Sequence, residues 1–349
     1  MKYKLKITVL ILLFFLLSQI VGLIVTASYK ENFYKKEIKE KISESITENI
    51  TENITNVTEE KISKEKNISL AKEFIPEKIE IKTTFDFLQI LISFLVALIF
   101  ATIIFIILMK VGVVKVMRFW LFFVVAVGMF ICFSLLLLFY NLGFIIKIKN
   151  FSFNFSEILS FVLAIFLAYF KIYKRNIIVH NITEIFVYPG IIILFLPIVN
   201  LYIVIALLLI ISVYDFIAVF KTRHMQKMAQ FMIKDIRAFT GFLFPWIEKK
   251  QEEKIKKLKM KKSKKKIKIK VNIAALGGGD IILPMLFACI VFLTYGLINA
   301  LFVIFFSSLS LLMLMIFGEK EKAYPALPPL TLGCLVGYLI SLLFTKILI

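Results

Sequence analysis

Two aspartates lie inside long apolar stretches of the sequence, where ionisable residues are rare. Asp215 follows Tyr214 in one stretch, and Asp280 ends the pattern Gly277-x-Gly279-Asp280 in the next. A charged side chain at the centre of a membrane helix costs about 2.5–3.5 kcal/mol on insertion scales, so each such residue indicates a functional site. The two aspartates are therefore the first candidates for chemistry.

Two carboxyl groups that face each other in a low dielectric share one proton, because both cannot ionise cheaply. The ionised member can activate a water molecule for attack on a carbonyl carbon. The protonated member polarises the carbonyl oxygen and later serves the leaving nitrogen. Asp215 and Asp280 thus predict hydrolysis of a peptide bond. The alternatives are polar contacts between helices, or a proton or cation relay in a transporter or channel.

Glycines and prolines beside the aspartates predict departures from regular helix. The three glycines before Asp280 lack side chains, so a partner backbone can approach there; ordinary close packing of helices is the alternative. The segment 324–329 contains three prolines, beginning with Pro325. Because proline lacks an N–H group, this segment is predicted to form an irregular or extended helix start, with an ordinary proline-rich start as the alternative.

The elements that must position these residues are helices that cross a membrane. The hydrophobic fraction is 60% and the mean hydropathy is +0.91, both far above a soluble domain. A spanning helix needs about 20 mostly apolar residues to cross about 30 Å of hydrocarbon. We predict an all-α membrane protein with nine spans, at 5–27, 87–109, 119–140, 153–170, 185–198, 201–220, 271–295, 297–317 and 323–346.

The two aspartates are predicted to lie at similar depth. Asp215 is counted from the span end at 220, and Asp280 from the span end at 271. At about 1.5 Å per residue, Asp215 lies about 8 Å and Asp280 about 13 Å from the same membrane face. Neighbouring antiparallel helices would then allow the carboxyl groups to pair.

Lysines and arginines predict the orientation, because short loops rich in them stay in the cytoplasm. If every stretch crosses once, the basic segments 2–6, 110–118, 171–175 and 221–270 share one side. This predicts a multi-pass protein of the cell membrane with a cytoplasmic N-terminus and an external C-terminus. The predicted parts are a membrane region at 1–220 with six helices and an external polar loop at about 28–84, a basic cytoplasmic loop at 221–270, and a membrane region at 271–349 with three helices.

The net charge of +20 is concentrated beside the membrane. Residues 221–270 contain 18 lysines and arginines against 4 acidic residues, which favours anionic lipid head groups over nucleic acid as partners. Within this loop the apolar run from Phe242 to Trp246 predicts an interfacial segment, with a plug over the site or a self-cleavage segment as alternatives. The three cysteines and two histidines are scattered, which predicts no disulfide, no metal site and no cofactor.

Three motifs taken together carry a family resemblance. They occur in this order in the sixth, seventh and last spans: Tyr214-Asp215, Gly277-x-Gly279-Asp280 and Pro325-Ala326-Leu327. In this combination the chain resembles presenilins and signal peptide peptidases from about Ile185 onward. The Lys-, Ile- and Asn-rich composition suggests an archaeal-type presenilin homologue.

The resemblance implies a nine-transmembrane-helix presenilin-like bundle in which Asp215 and Asp280 are catalytic. It also implies that Pro325, Ala326 and Leu327 shape the active site and bind substrate, together with Tyr214, Gly277 and Gly279. The x position is Gly278, where presenilins usually carry a larger apolar residue, so the substrate preference is expected to differ.

The predicted function is therefore intramembrane aspartyl proteolysis of transmembrane-helix proteins. The basic loop favours the presenilin orientation, with substrates whose N-terminus is external, and the prediction is compatible with self-association. One rival is an ion or proton-coupled transporter or channel, against which stands the absence of evident inverted repeats in the sequence. A prepilin-type peptidase shares the Gly-x-Gly-Asp pattern but does not explain the proline segment.

Overall fold

The computed structural model describes residues 5–50, 83–139, 145–148, 151–174, 176–222, 231–232, 239–246, 272–318 and 324–348. Within these ranges nine helices are long and apolar enough to cross a membrane. They are α1 Leu5–Ile50, α2 Thr84–Val111, α3 Val114–Phe139, α4 Phe155–Tyr169, α5 Ile177–Phe195, α6 Leu201–Ile217, α7 Gly278–Tyr295, α8 Leu297–Phe317 and α9 Leu327–Leu348. Two helices continue into π-helical turns, α4 into Phe170–Lys174 and α6 into Ala218–Thr222.

Polar residues begin several of these apolar helices. Thr83 and Asp86 form a capping box at α2, in which each side chain accepts a hydrogen bond from the other residue's backbone N–H. Asn176 accepts from Ile178 N–H at the start of α5, and Asn200 accepts from Ile203 N–H at the start of α6, both at 2.9 Å. These caps satisfy N–H groups that a helix leaves without partners at its first turn, which matters most where no water competes.

Glycines allow the closest helix crossings. A Cβ placed on Gly190 of α5 would collide with the Gly128 carbonyl of α3, lying 2.6 Å from its carbon. On α9, a Cβ on Gly333 or Gly337 would lie 2.6 Å or 2.7 Å from a backbone carbonyl oxygen of α8. The four-residue spacing of the last pair is the small-residue pattern by which membrane helices pack backbone to backbone.

Two antiparallel strand pairs join the helices. Strands β1 Ile145–Ile148 and β2 Phe151–Asn154 form one pair. Strands β3 Gly241–Trp246 and β4 Asn272–Gly277 form the other, with Gly241 opposite Gly277 and Trp246 opposite Asn272. One face of this second pair is buried, carrying Phe242, Phe244, Ala274 and Leu276. Strand β4 runs directly into α7, so the β3–β4 pair determines where Asp280 lies.

The structure corrects the predicted seventh span. The sequence predicted helix from 271, but Asn272–Gly277 is a strand and the helix begins at Gly278. Asp280 therefore lies in the first turn of α7 instead of well inside a helix, and the depth count made from 271 was wrong. The predicted interfacial segment from Phe242 to Trp246 was also wrong, because it forms β3 with two fully or nearly buried phenylalanines.

Two further boundaries differ from the prediction. Helix α1 continues to Ile50, so the part of the predicted polar loop up to that residue is helical, as its many lysines and glutamates favour; the part at 51–82 lies outside the described residues. Helix α5 begins at Ile177, ahead of the predicted start at 185. His180, Asn181 and Glu184 made this first half too polar to resemble a span, but all three are buried against β3.

Candidate active site

Asp215 lies in the last turn of α6, just before the π-helical turn. Its residue surface is only 3% exposed. Its carboxylate Oδ2 accepts a hydrogen bond of 3.3 Å from the Leu327 N–H, the first residue of α9. Pro325 and Ala326 precede that residue in non-helical conformation, so the Leu327 N–H is a helix-terminal donor with no partner one turn earlier in its own helix. The proline segment is therefore bound directly to one of the two aspartates.

Asp280 is the third residue of α7, after the N-cap Gly277. Its carboxylate turns back onto the strand end: a Cβ on Gly277 would lie 3.1 Å from Asp280 Oδ2, so the carboxylate lies close to the Gly277 backbone. This is the geometry in which an acidic side chain in the first helical turn bonds back to the N-cap backbone. A side chain at Gly277 would press on the carboxylate, which would have to move by a few tenths of an ångström.

The structure brings the two predicted aspartates together. Helices α6 and α7 pack against each other, and the charge of Asp215 acts on the Asp280 carboxyl group. The Asp215 carboxylate accepts from the Leu327 N–H, and the Asp280 carboxylate lies against the Gly277 backbone. The pair is therefore fixed from two sides by backbone atoms, which do not depend on side-chain rotamers.

The glycines around Asp280 have different surroundings. A Cβ on Gly278 would lie 3.2 Å from the hydroxyl oxygen of Tyr188, a residue of α5 that is 2% exposed. Tyr188 thus fills the space beside the x position of the motif, and the sequence did not single it out. Gly279 is exposed, and no heavy atom outside its own helix backbone and chain neighbours lies within 4 Å of a Cβ placed there.

The other predicted residues divide into buried and exposed groups. Pro325, Ala326 and Leu327 are buried, and the ring of the preceding Tyr324 packs edge-on against Phe220 at 6.5 Å. Tyr214 is 39% exposed, whereas its neighbour Asp215 is buried.

Helix α5 binds the outer edge of β3. Asn181 donates to the Leu243 carbonyl at 2.8 Å and accepts from the Leu243 N–H at 2.9 Å. His180 Nε2 donates to the Gly241 carbonyl at 2.8 Å, and Glu184 Oε1 accepts from the Gly241 N–H at 3.2 Å. These backbone groups point away from β4, so the side of β3 that could pair with another strand is occupied.

The outer edge of β4 is different. Backbone groups alternate in direction along an antiparallel strand, and Gly241 and Leu243 direct theirs to α5, so their partners Gly277 and Ala275 direct theirs outward. Within the part of the chain that the structure describes, no other backbone segment pairs with the outward groups of Ile273 and Ala275. This edge ends at Gly277, next to the Asp280 carboxylate.

Metal-ligating side chains do not cluster among the described residues, where no group of three or more His, Cys, Asp or Glu could hold a metal ion. Cys132, Cys289 and Cys334 are buried and unbridged.

The fold and the site together define a class of protein, a multi-pass helical bundle with two neighbouring aspartates where α6 and α7 pack together. A family model described as signal-peptide peptidase, presenilin aspartyl protease matches residues 87–347, and the chain belongs to this family. It is an intramembrane aspartyl protease, which confirms the predicted family and function. No finding favours the transporter that the sequence left as a rival.

Solved structures extend the likeness to the whole chain. Two structures of a presenilin family intramembrane aspartate protease, in space groups C222 and P2, superpose with TM-scores of 0.53 and 0.52. They are 15% and 16% identical to this chain, covering 97% and 96% of it and 99% and 96% of their own length. At this identity they show the fold alone, and they confirm the presenilin-like bundle. A search of curated proteins gave no match.

Proposed function

We propose that Asp215 and Asp280 are the catalytic pair of this protease. The ionised carboxylate takes a proton from a water molecule as that water attacks the scissile carbonyl carbon. The protonated carboxyl donates its proton to the carbonyl oxygen, and the pair then returns a proton to the leaving nitrogen as the C–N bond breaks. The observation that carries this proposal is that two neighbouring carboxylates lie against helix-terminal backbone, Asp215 at Leu327 and Asp280 at Gly277.

The proposed substrate is a transmembrane helix of another membrane protein. Its scissile segment must unwind, because helical hydrogen bonds and side chains shield each carbonyl. An extended segment needs a partner for its backbone, and an unpaired strand edge supplies one. The outward groups of Ile273 and Ala275 support β4 as that edge, since α5 already occupies the other edge of the pair. A strand on β4 would run toward Gly277 and so carry a carbonyl to Asp280.

The predicted orientation is retained in this proposal. The basic segments favour a cytoplasmic N-terminus, an external C-terminus and a cytoplasmic location for the loop at 221–270. Anionic lipid head groups are the proposed partners of that loop, because each lysine or arginine near a membrane surface contributes about 1 kcal/mol of attraction. Water would then reach the aspartates from the cytoplasmic face.

The test compares cleavage of a transmembrane reporter peptide in detergent by the purified protein and by two near-isosteric variants, Asp215→Asn and Asp280→Asn. Each variant is expected to lose cleavage, because an amide can neither accept the proton of the attacking water nor share one with its partner. The matched control is Asp86→Asn, which changes a half-buried aspartate at the start of α2, outside the proposed catalytic pair, and should cleave as wild type does. Retained cleavage in either active-site variant would contradict the catalytic assignment.

A further inference from the structure

We propose that four side chains outside the aspartate pair determine which peptide bond is cut. They are Lys171, His180, Asn181 and Glu184, here named the strand clamp. The strand clamp holds β3, β3 holds β4, and β4 ends beside Asp280. These are positioning residues, since they act on the substrate only through the strands. The inference rests on the proposed function, in which a substrate strand pairs with β4 and is cut by the aspartates.

The strand clamp is buried throughout. Lys171 Nζ lies 2.8 Å from Glu184 Oε1, with side-chain exposures of 2% and 1%. Residue exposures are 7% for His180 and 5% for Asn181. A buried ion pair is weak evidence for stability, because removing two charges from water costs about as much as their attraction returns. The same Glu184 oxygen accepts from the Gly241 N–H, so the ion pair also anchors β3.

The strand clamp satisfies four successive outward backbone groups of β3. Both the N–H and the carbonyl of Gly241 and both those of Leu243 are bonded to α5 side chains. The next outward position is Pro245, which has no N–H group to offer. Gly241 also adopts a φ of 134°, a conformation that favours glycine. Two anchoring points two residues apart fix the position of β3 along its own axis as well as its distance from α5.

This fixed position reaches the catalytic residue through the ladder. Gly241 pairs with Gly277, and the Gly278 N–H donates to the Thr240 carbonyl at 3.2 Å. A strand advances about 3.3 Å per residue, and β4 is covalently continuous with Asp280, so a displacement of β3 that carries β4 with it would move the β4 edge and Asp280 together relative to Asp215 on α6. A substrate strand paired with β4 would then present a neighbouring carbonyl. The strand clamp thus acts on the choice of bond and leaves the chemistry to the aspartates.

The test measures cleavage positions by mass spectrometry of the products from one reporter peptide. Asn181→Leu removes both hydrogen bonds to Leu243 with little change in volume, and Asn181→Asp keeps an acceptor for the Leu243 N–H while losing the donor to its carbonyl. The ratio of the main product to its one-residue neighbours is expected to fall about tenfold in Asn181→Leu and less in Asn181→Asp, following the number of bonds lost. The matched control is Thr183→Val, because Thr183 is buried in the same helix but donates back to the His180 carbonyl.

Thermal unfolding is recorded for every variant, and if Asn181→Leu does not fold, Asn181→Asp decides the question. The inference would be overturned if the folded Asn181 variants cut at the wild-type bond with the wild-type product ratio. It would also be overturned if Thr183→Val lowered that ratio as much as the Asn181 variants do. The proposed function is judged separately by Asp280→Asn. If Asp280→Asn is inactive but the Asn181 variants keep the wild-type ratio of main product to one-residue neighbours, the strand clamp alone is refuted. If Asp280→Asn is active, the catalytic pair is refuted.

Discussion

Replacement of Gly279 by alanine is expected to move stability and activity in opposite directions. Gly279 is the second residue of α7 and directly precedes Asp280. A Cβ at this position would meet nothing within 4 Å beyond its own helix backbone and chain neighbours, and the position is exposed. The new methyl group therefore enters open space beside the aspartate, and in the proposed function the substrate backbone approaches Asp280 through this space.

The size of both effects follows from this geometry. Glycine in a helix is less stable than alanine by about 0.5–1 kcal/mol, because it loses more conformational freedom on folding. With no collision to offset this gain, Gly279→Ala should unfold at the wild-type temperature or slightly above it. A substrate backbone in contact with Gly279 would be displaced by the methyl group, and a misplacement of about 1 Å can cost about 10²-fold in rate. We therefore expect kcat/KM to fall by about that factor.

Gly278→Ala provides the matched comparison. Its Cβ would lie 3.2 Å from the Tyr188 hydroxyl oxygen and 3.4 Å from Tyr188 Cε1, so the tyrosine must shift and the thermal midpoint should fall. Tyr188→Phe in the Gly278→Ala background removes the closer contact and should restore part of the lost stability. Gly279→Ala should show no such dependence on Tyr188.

Thermal unfolding in detergent and cleavage of the reporter peptide over a range of concentrations measure the two quantities. A wild-type kcat/KM in Gly279→Ala would refute the idea that substrate approaches Asp280 across this glycine. A lower thermal midpoint in the same variant would refute the open space on which the stability argument rests.

Two further substitutions test contacts made by backbone atoms. Gly190→Ala should lower the thermal midpoint, because its Cβ would collide with the Gly128 carbonyl. Overpacking of this kind costs about 1–3 kcal/mol. An unchanged midpoint would contradict the close crossing of α3 and α5. Leu327→Pro removes the N–H that donates to Asp215 at 3.3 Å at the first helical position, where proline is tolerated. A hydrogen bond to a charged group contributes about 1.5–3 kcal/mol. The kcat of Leu327→Pro should therefore be at least tenfold below that of Leu327→Ala, which keeps the N–H. Equal rates in these two variants would show that the bond has no role.

The sequence predicted the helical bundle well, because membrane helices depend on local composition. The eighth span was predicted at 297–317, and α8 is Leu297–Phe317. Apolar runs of the length that crosses hydrocarbon, separated by short polar or charged segments, leave few other structures possible. The two aspartates stood out for the same reason, since an ionisable residue is conspicuous in such a run. The structure then brought them together between α6 and α7.

The β3–β4 pair and its attachment to α5 could not be predicted in this way. Residues 272–277 are mostly apolar and precede a helix, and a short apolar run does not distinguish strand from helix. Their partner strand is Gly241–Trp246, far earlier in the chain. Asn181 and Glu184 made the start of α5 unlike a span, although their polarity was the signal that backbone groups elsewhere needed partners. Only the fold shows that those groups belong to Gly241 and Leu243.

The outer edge of β4 also bears on how water reaches the aspartates. Unpaired backbone groups are not tolerated against lipid, and an open strand edge occurs at membrane depth only where it lines a water-filled cavity or is covered by protein. On β3 the strand clamp provides that cover, but the outward groups of Ile273 and Ala275 have no backbone partner among the described residues. We expect water to bond to this edge when no substrate is present, because the edge leads to Gly277 and Asp280, where hydrolysis requires water. The proposed substrate strand on β4 would then replace this water along most of the edge and leave it at the end beside the aspartates.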